Sequence, residues 1–140
     1  MEQVEELMKI EINIDSMVSL DSSIGDSVVM ISFTGQATGK FFQGEVQPGG
    51  VDTQIISQDK KKHTLSARYI IKGKDYLGQD CTLYIENNGN IHEPNEAYIF
   101  RTYPNIISSN ESLQFLEQDI LVAEGRASEN GVTIYIYRVK

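Results

Sequence analysis

Hydrophobic and polar positions alternate with a period of two along most of this chain, the mark of half-buried strands. Over residues 7–14, Met8, Ile10, Ile12 and Ile14 share one face, with Lys9, Glu11 and Asn13 on the other. The Ser-, Asp- and Gly-rich stretch 15–26 reads as a loop. Residues 28–35 are apolar on both faces and predict a second strand. Segment 39–52 predicts a strand, a hairpin turn at Pro48-Gly49-Gly50 that accounts for its glycines, and another strand. After a polar link at 58–62, Leu65, Ala67, Tyr69 and Ile71 alternate with Ser66, Arg68 and Ile70. Residues 73–80 read as a turn and 81–87 as a strand, stopped by Asn87-Asn88-Gly89-Asn90. A loop with His92 and Pro94 precedes a strand at 97–103, which Pro104 ends.

Only 105–117 lack alternation. Ser109 is placed there to cap a short helical turn whose Leu113, Phe115 and Leu116 plug one end of the structure. Residues 119–127 and 132–140 form a last hairpin around Glu129-Asn130-Gly131. The expected fold is all-β: one domain over 1–140, an antiparallel up-and-down β-barrel of eight to ten strands with one short helical segment. Short links between successive strands favour closure, which removes exposed edges; an open sandwich is the alternative. In the last strand Val132, Ile134 and Ile136 oppose Tyr135, Tyr137 and Val139, so both faces need cover. Either a homo-oligomer buries Tyr135 and Tyr137, or the 105–117 segment folds back over them.

Composition narrows the classes of function. A length of 140 residues suits one domain, and 40% apolar with 23% charged residues is ordinary globular composition. The net charge of −8 argues against a nucleic-acid partner, and Lys60-Lys61-Lys62 reads as a solvated hairpin tip. No apolar run approaches a membrane span, and the acidic start is unlike a secretory signal, so a cytoplasmic location is expected. Cys81 is the single cysteine and reads as a small buried hydrophobe. His92-Glu93-Pro94-Asn95-Glu96 lacks a second histidine, and Pro94 forbids the helix that would align metal ligands. No metal and no cofactor are expected.

Charged residues inside apolar strands are the remaining candidates, since a charge there faces water or is paired in a lumen. Glu45, Gln54, Arg68, Glu86, Arg101 and Glu124 qualify. Arg101, flanked on its face by Ile99 and Tyr103, is expected to point into a cavity. There it either pairs with Glu45, Glu86 or Glu124 to fix register, or anchors a ligand carboxylate. Two of those glutamates together would suit acid–base chemistry, although no spacing motif supports it.

Several stretches resemble a known family. They are Gly44-Glu45-Val46-Gln47-Pro48-Gly49-Gly50-Val51-Asp52, Ala67-Arg68-Tyr69, Tyr84-Ile85-Glu86-Asn87-Asn88-Gly89, Tyr98-Ile99-Phe100-Arg101-Thr102 and Glu124-Gly125-Arg126. In this order the chain resembles domain-of-unknown-function family 3237, the UPF0311-type proteins. The resemblance implies a small calycin- or lipocalin-like barrel and carries no activity. Phe115-Leu116-Glu117 departs from the Trp-Leu-Asn often found there in the family, which would alter the polarity of a pocket closed by that segment.

The leading expectation is a barrel that binds a small, partly apolar, anionic molecule. Its expected ligand-binding residues are Arg101, Glu45, Arg68, Glu86, Tyr84, Tyr103 and Glu124, with Phe41 or Phe42, Tyr69 and Tyr98 among the lining aromatics. A cofactor-free isomerase, hydratase or cyclase, and a module with a filled core, are the alternatives.

Overall fold

The structure is a computed structural model that describes residues 3–91, 99–129 and 131–140. The His92 loop, Tyr98 and Asn130 of the last predicted turn lie outside those residues. The described residues form ten strands: β1 (Val4–Leu20), β2 (Ser27–Thr38), β3 (Phe42–Val46), β4 (Val51–Ile56), β5 (His63–Asp75), β6 (Asp80–Ile91), β7 (Phe100–Thr102), β8 (Asn105–Ser108), β9 (Leu121–Ser128) and β10 (Gly131–Val139). A 3-10 turn at Glu111–Leu113 leads into the four-residue helix α1 (Phe115–Gln118).

All pairings are antiparallel, and they run β1–β2–β4–β5–β6–β7–β9–β10 and back to β1. β3 shares the place of β4 between β2 and β5, and β8 continues the line of β7 along β6. The wall therefore closes on itself as a barrel. Among the described residues, no helix is long and apolar enough to cross a membrane.

Several boundaries differ from the sequence reading, and Asn105–Ser108, expected within the non-alternating segment, form β8 against Leu83–Glu86. β1 runs on to Leu20, where 15–26 was expected to be a loop, because Ser16–Leu20 pair with Val28–Ser32 as an arm of the β1–β2 hairpin. The Pro48-Gly49-Gly50 segment is not a hairpin. β3 and β4 are antiparallel to the same two neighbours, so the chain keeps its direction across the break. Gly49 takes a φ of 105° there, while Gln47 N–H donates to the Ile70 carbonyl and Phe33 N–H to the Gly50 carbonyl. Likewise Asn87–Asn90 do not stop β6, which continues to Ile91.

One face of each strand supplies the core: Ile10, Phe33, Phe42, Val46, Ile71, Leu83, Ile85, Ala123 and Ile136 are all buried. At one end the helical segment inserts Leu113 and Leu116, both buried, as the sequence suggested. Ser109 does not cap that turn. Asn110 occupies the cap position, and Ser109 Oγ instead accepts the Thr82 N–H of β6 at 2.8 Å.

Two carboxylates hold this end. Asp75 accepts hydrogen bonds from Ser112 Oγ at 2.6 Å, Asn110 Nδ2 at 3.1 Å and the Leu77 and Gln79 amides. The Ser112 hydroxyl leads the donors that lower its pKa to about 2. Glu5 pairs with Lys40, Arg138 and Lys140, and its pKa is also lowered to about 2, first by Lys40 and then by Arg138. Arg138 in turn holds Asp119 at 3.0 Å and lies over the Phe115 ring. The outward tyrosines of β10 meet Arg126, whose guanidinium lies over Tyr135 and donates to the Tyr137 hydroxyl at 3.1 Å.

Candidate functional site

The register fixes which inward residues lie side by side. Asp52 of β4 pairs with Ile31 of β2 and Ala67 of β5, and Ala67 pairs with Asn87 of β6. One step toward the unplugged end, Gln54 pairs with Leu65, Leu65 with Gly89, and Gly89 with Thr102 of β7. One step toward the plug, Tyr69 pairs with Ile85 and Ile85 with Ile106. A polar band thus crosses the lumen above a filled apolar floor.

A cavity of about 150 Å³ opens at this level, lined by Phe33, Asp52, Gln54, Asn87, Phe100 and a set of Ile, Leu, Val and Ala side chains. Phe100 fits because its cross-strand partner is glycine: a Cβ on Gly125 would meet the Phe100 ring at 2.3 Å. A larger open depression of about 600 Å³ is lined by Glu11, Asn13, Gln36 and Glu45. Those side chains are solvated and lie on the outer wall, so the smaller cavity is the better site.

Asp52 is held at one oxygen only. Gln54 Nε2 donates to Asp52 Oδ2 at 2.8 Å, and Gln54 Oε1 lies 2.7 Å from His63 Nε2, which donates in that arrangement. Asp52 Oδ1 is buried without a hydrogen-bond partner among the described residues, as are Tyr69 Oη, Asn87 Oδ1 and Thr102 Oγ1. Each such atom costs about 1–3 kcal/mol if left unmade. Burial pushes the Asp52 pKa up from its ordinary 3.8, with Gln54 the first of the contacts that oppose the rise. Burial likewise raises Tyr69, aided by the nearby Asp52 charge, so its hydroxyl stays protonated; its ring meets Phe33 edge-on at 5.2 Å. The band offers a carboxyl, an amide and hydroxyls inside apolar walls. It can hydrogen-bond a small molecule and exchange protons with it.

None of the seven site residues expected from the sequence lies in this lumen. Arg101 points outward, 48% exposed at its side chain, and pairs with Glu124 at 3.3 Å. Glu124 also meets Arg126, at 3.7 Å. Arg68, Tyr84 and Glu86 cluster on a second outer patch, where Glu86 accepts from Asn88 and Tyr84 and faces Arg68 at 3.9 Å. Asn88 and then Tyr84 hold the Glu86 pKa down, while burial raises that of Tyr84. Glu45 and Tyr103 are exposed. The physical reason is the strand period: Phe100 and Thr102 face inward, so Arg101 between them faces out. Of the lining aromatics, Phe42 and Tyr69 are inside, and Phe41 packs on Phe115 and Tyr76 at the plug.

Asp52 and Asn87 were missed as site residues. Asn87 continues the inward face of Cys81, Leu83 and Ile85, a polar residue at the end of an apolar stripe, and that spacing is its signal. Asp52 shares a face with Gln54, two polar residues where an inward stripe should run.

Fold and site together define a small antiparallel β-barrel, plugged at one end, with a polar band beside a cavity near the other. The chain belongs to the family described as "Protein of unknown function (DUF3237)", whose model matches residues 2–139. A UPF0311 protein of Clostridium acetobutylicum is 30% identical over 96% of this chain and 92% of its own length. A crystal structure of a protein of unknown function from the same species superposes with a TM-score of 0.83 at 29% identity, over 100% of this chain and 98% of that one. A β-barrel-like protein from Acinetobacter baumannii gives a TM-score of 0.80 at 20% identity, over 99% and 96% of the two chains.

Proposed function

We propose that the protein binds a small, largely apolar, neutral molecule in the barrel lumen, hydrogen-bonded to Asp52 and Asn87. The observation that carries this reading is the set of buried, unpartnered oxygens beside an apolar cavity lined by the same two residues. A cation would be needed for the anionic ligand expected from Arg101, and the described cavity lining holds none. A flat aromatic alcohol matches the mixture of Phe33, Phe100 and aliphatic walls with a carboxyl acceptor.

2-Naphthol is the probe, followed by its own fluorescence. Saturable binding is expected, and Ala67→Leu, which grows a side chain between Asp52 and Asn87, is expected to weaken it by roughly tenfold or more. Arg101→Ala is expected to leave binding unchanged. Loss of binding in Arg101→Ala, with Ala67→Leu unaffected, would move the site to the outer wall.

A further inference from the structure

We infer that Asp52 is a general base for cofactor-free proton transfer on a small enolisable ketone held in this lumen. The inference rests on the lumen-binding reading above and adds a reaction to it. It comes from comparing the carboxylates the fold holds in place. Asp75 is saturated by four donors, and Glu5 by three cations. Both are fully committed to structure. Asp52 is held by Gln54 at Oδ2, feels the Ser66 amide and the His63 ring more weakly, has no salt-bridge partner among the described residues, and leaves Oδ1 unpartnered.

A carboxylate that served only to fix register would be expected to take the donors around it, as Asp75 does. Gln54 instead sets the orientation of the Asp52 carboxyl from one side and is itself fixed by His63. Apolar cavity walls leave the Asp52 charge poorly solvated, which strengthens it as a base. A donor for the developing oxyanion is at hand. Asn87 lines the same cavity and carries two amide hydrogens.

The step balances without a cofactor. Asp52 Oδ1 takes a proton from the carbon next to the carbonyl, and the C–H electron pair becomes the new C=C bond. The carbonyl π pair moves onto oxygen, where the Asn87 N–H donates to it. Return of a proton from the carboxylic acid regenerates Asp52: delivery to a conjugated carbon gives isomerisation, and return to the same carbon after the acid has swapped its proton with solvent gives exchange. An apolar cavity with a carboxylate base and hydroxyl or amide donors is the arrangement such enolisations need.

The test uses 2-tetralone, a compact ketone with acidic α-hydrogens, and the intact protein in D₂O. Saturation-transfer NMR reports binding, and loss of the α-proton signal reports exchange on the same sample. The wild-type protein is expected to accelerate exchange by about 100-fold over buffer at equal pH. Asp52→Asn should return the rate to that of buffer while saturation transfer persists. Asn87→Ala should lower it by about tenfold or more, with Arg101→Ala unchanged. If 2-tetralone binds but exchanges at the buffer rate, the base assignment is overturned and the binding reading stands. If it does not bind, the ketone proposal is overturned, while 2-naphthol binding decides the lumen reading separately.

Discussion

Leu113→Ala is expected to lower the stability of the protein by about 2–5 kcal/mol, seen as a fall in Tm of roughly 6–20 °C. Leu113 has no solvent exposure and belongs to the same buried cluster as Leu7, Phe42, Cys81 and Leu121. The helical segment that carries it is only one 3-10 turn and four α-helical residues, far below the length at which a helix is stable alone. It stays in place through two buried leucines, the Phe41–Phe115 edge contact and the Asp75 hydrogen bonds. Removing the three carbons beyond Cβ from that set leaves a cavity at the closed end of the barrel. A Tm within 2–3 °C of wild type, too small a change for a lost buried leucine, would show that the segment is an appendage and not a plug.

Asp52→Asn has the opposite expected sign. The folded-state pKa of Asp52 is raised by burial above its ordinary 3.8, so the folded chain holds this proton more tightly than the unfolded chain does. The cost of the buried carboxylate is absent below pH 3.8, grows as pH rises through the folded pKa, and is complete above it. Asparagine removes that charge and keeps an oxygen for Gln54. At pH 7 the variant should therefore be more stable than wild type, with the gap closing as pH falls toward 3.8. Glu5 and Asp75, both held at about 2, destabilise wild type and variant alike in acid, so the difference between the two melting curves isolates Asp52. A residue that costs stability at working pH and is required for binding or exchange is serving function. A variant less stable at pH 7 than wild type would make Asp52 a structural residue.

Much of the barrel was legible in period two. The inward faces of β1 and β5 and the Leu113–Leu116 plug follow from alternation and one non-alternating segment, whereas the strand order does not. The arm at 15–20 was not legible, because serines and aspartates that look like a loop are also what a solvated hairpin extension carries. The line break at Pro48-Gly49-Gly50 looks like a hairpin locally, and only the shared neighbours of β3 and β4 show that direction is kept.

The site was less legible for a specific reason. Alternation sorts residues into two faces but does not say which is inside, and the charged residues drew attention to the outer one. Arg101 was judged by Ile99 and Tyr103, its own face, whereas Phe100 and Thr102 on the other face mark the lumen. Asp75 showed only the local half of its role, the turn amides of Leu77 and Gln79, since its donors Asn110 and Ser112 lie 35 and 37 residues away.

The most direct measurement is a methyl NMR titration of isoleucine-labelled protein with 2-naphthol. Shifts are expected at Ile12, Ile31 and Ile134, which line the cavity, with Ile70, Ile107 and Ile120 on the outside unmoved. Shifts confined to the outer set, or none at saturating probe, would contradict a ligand-binding lumen.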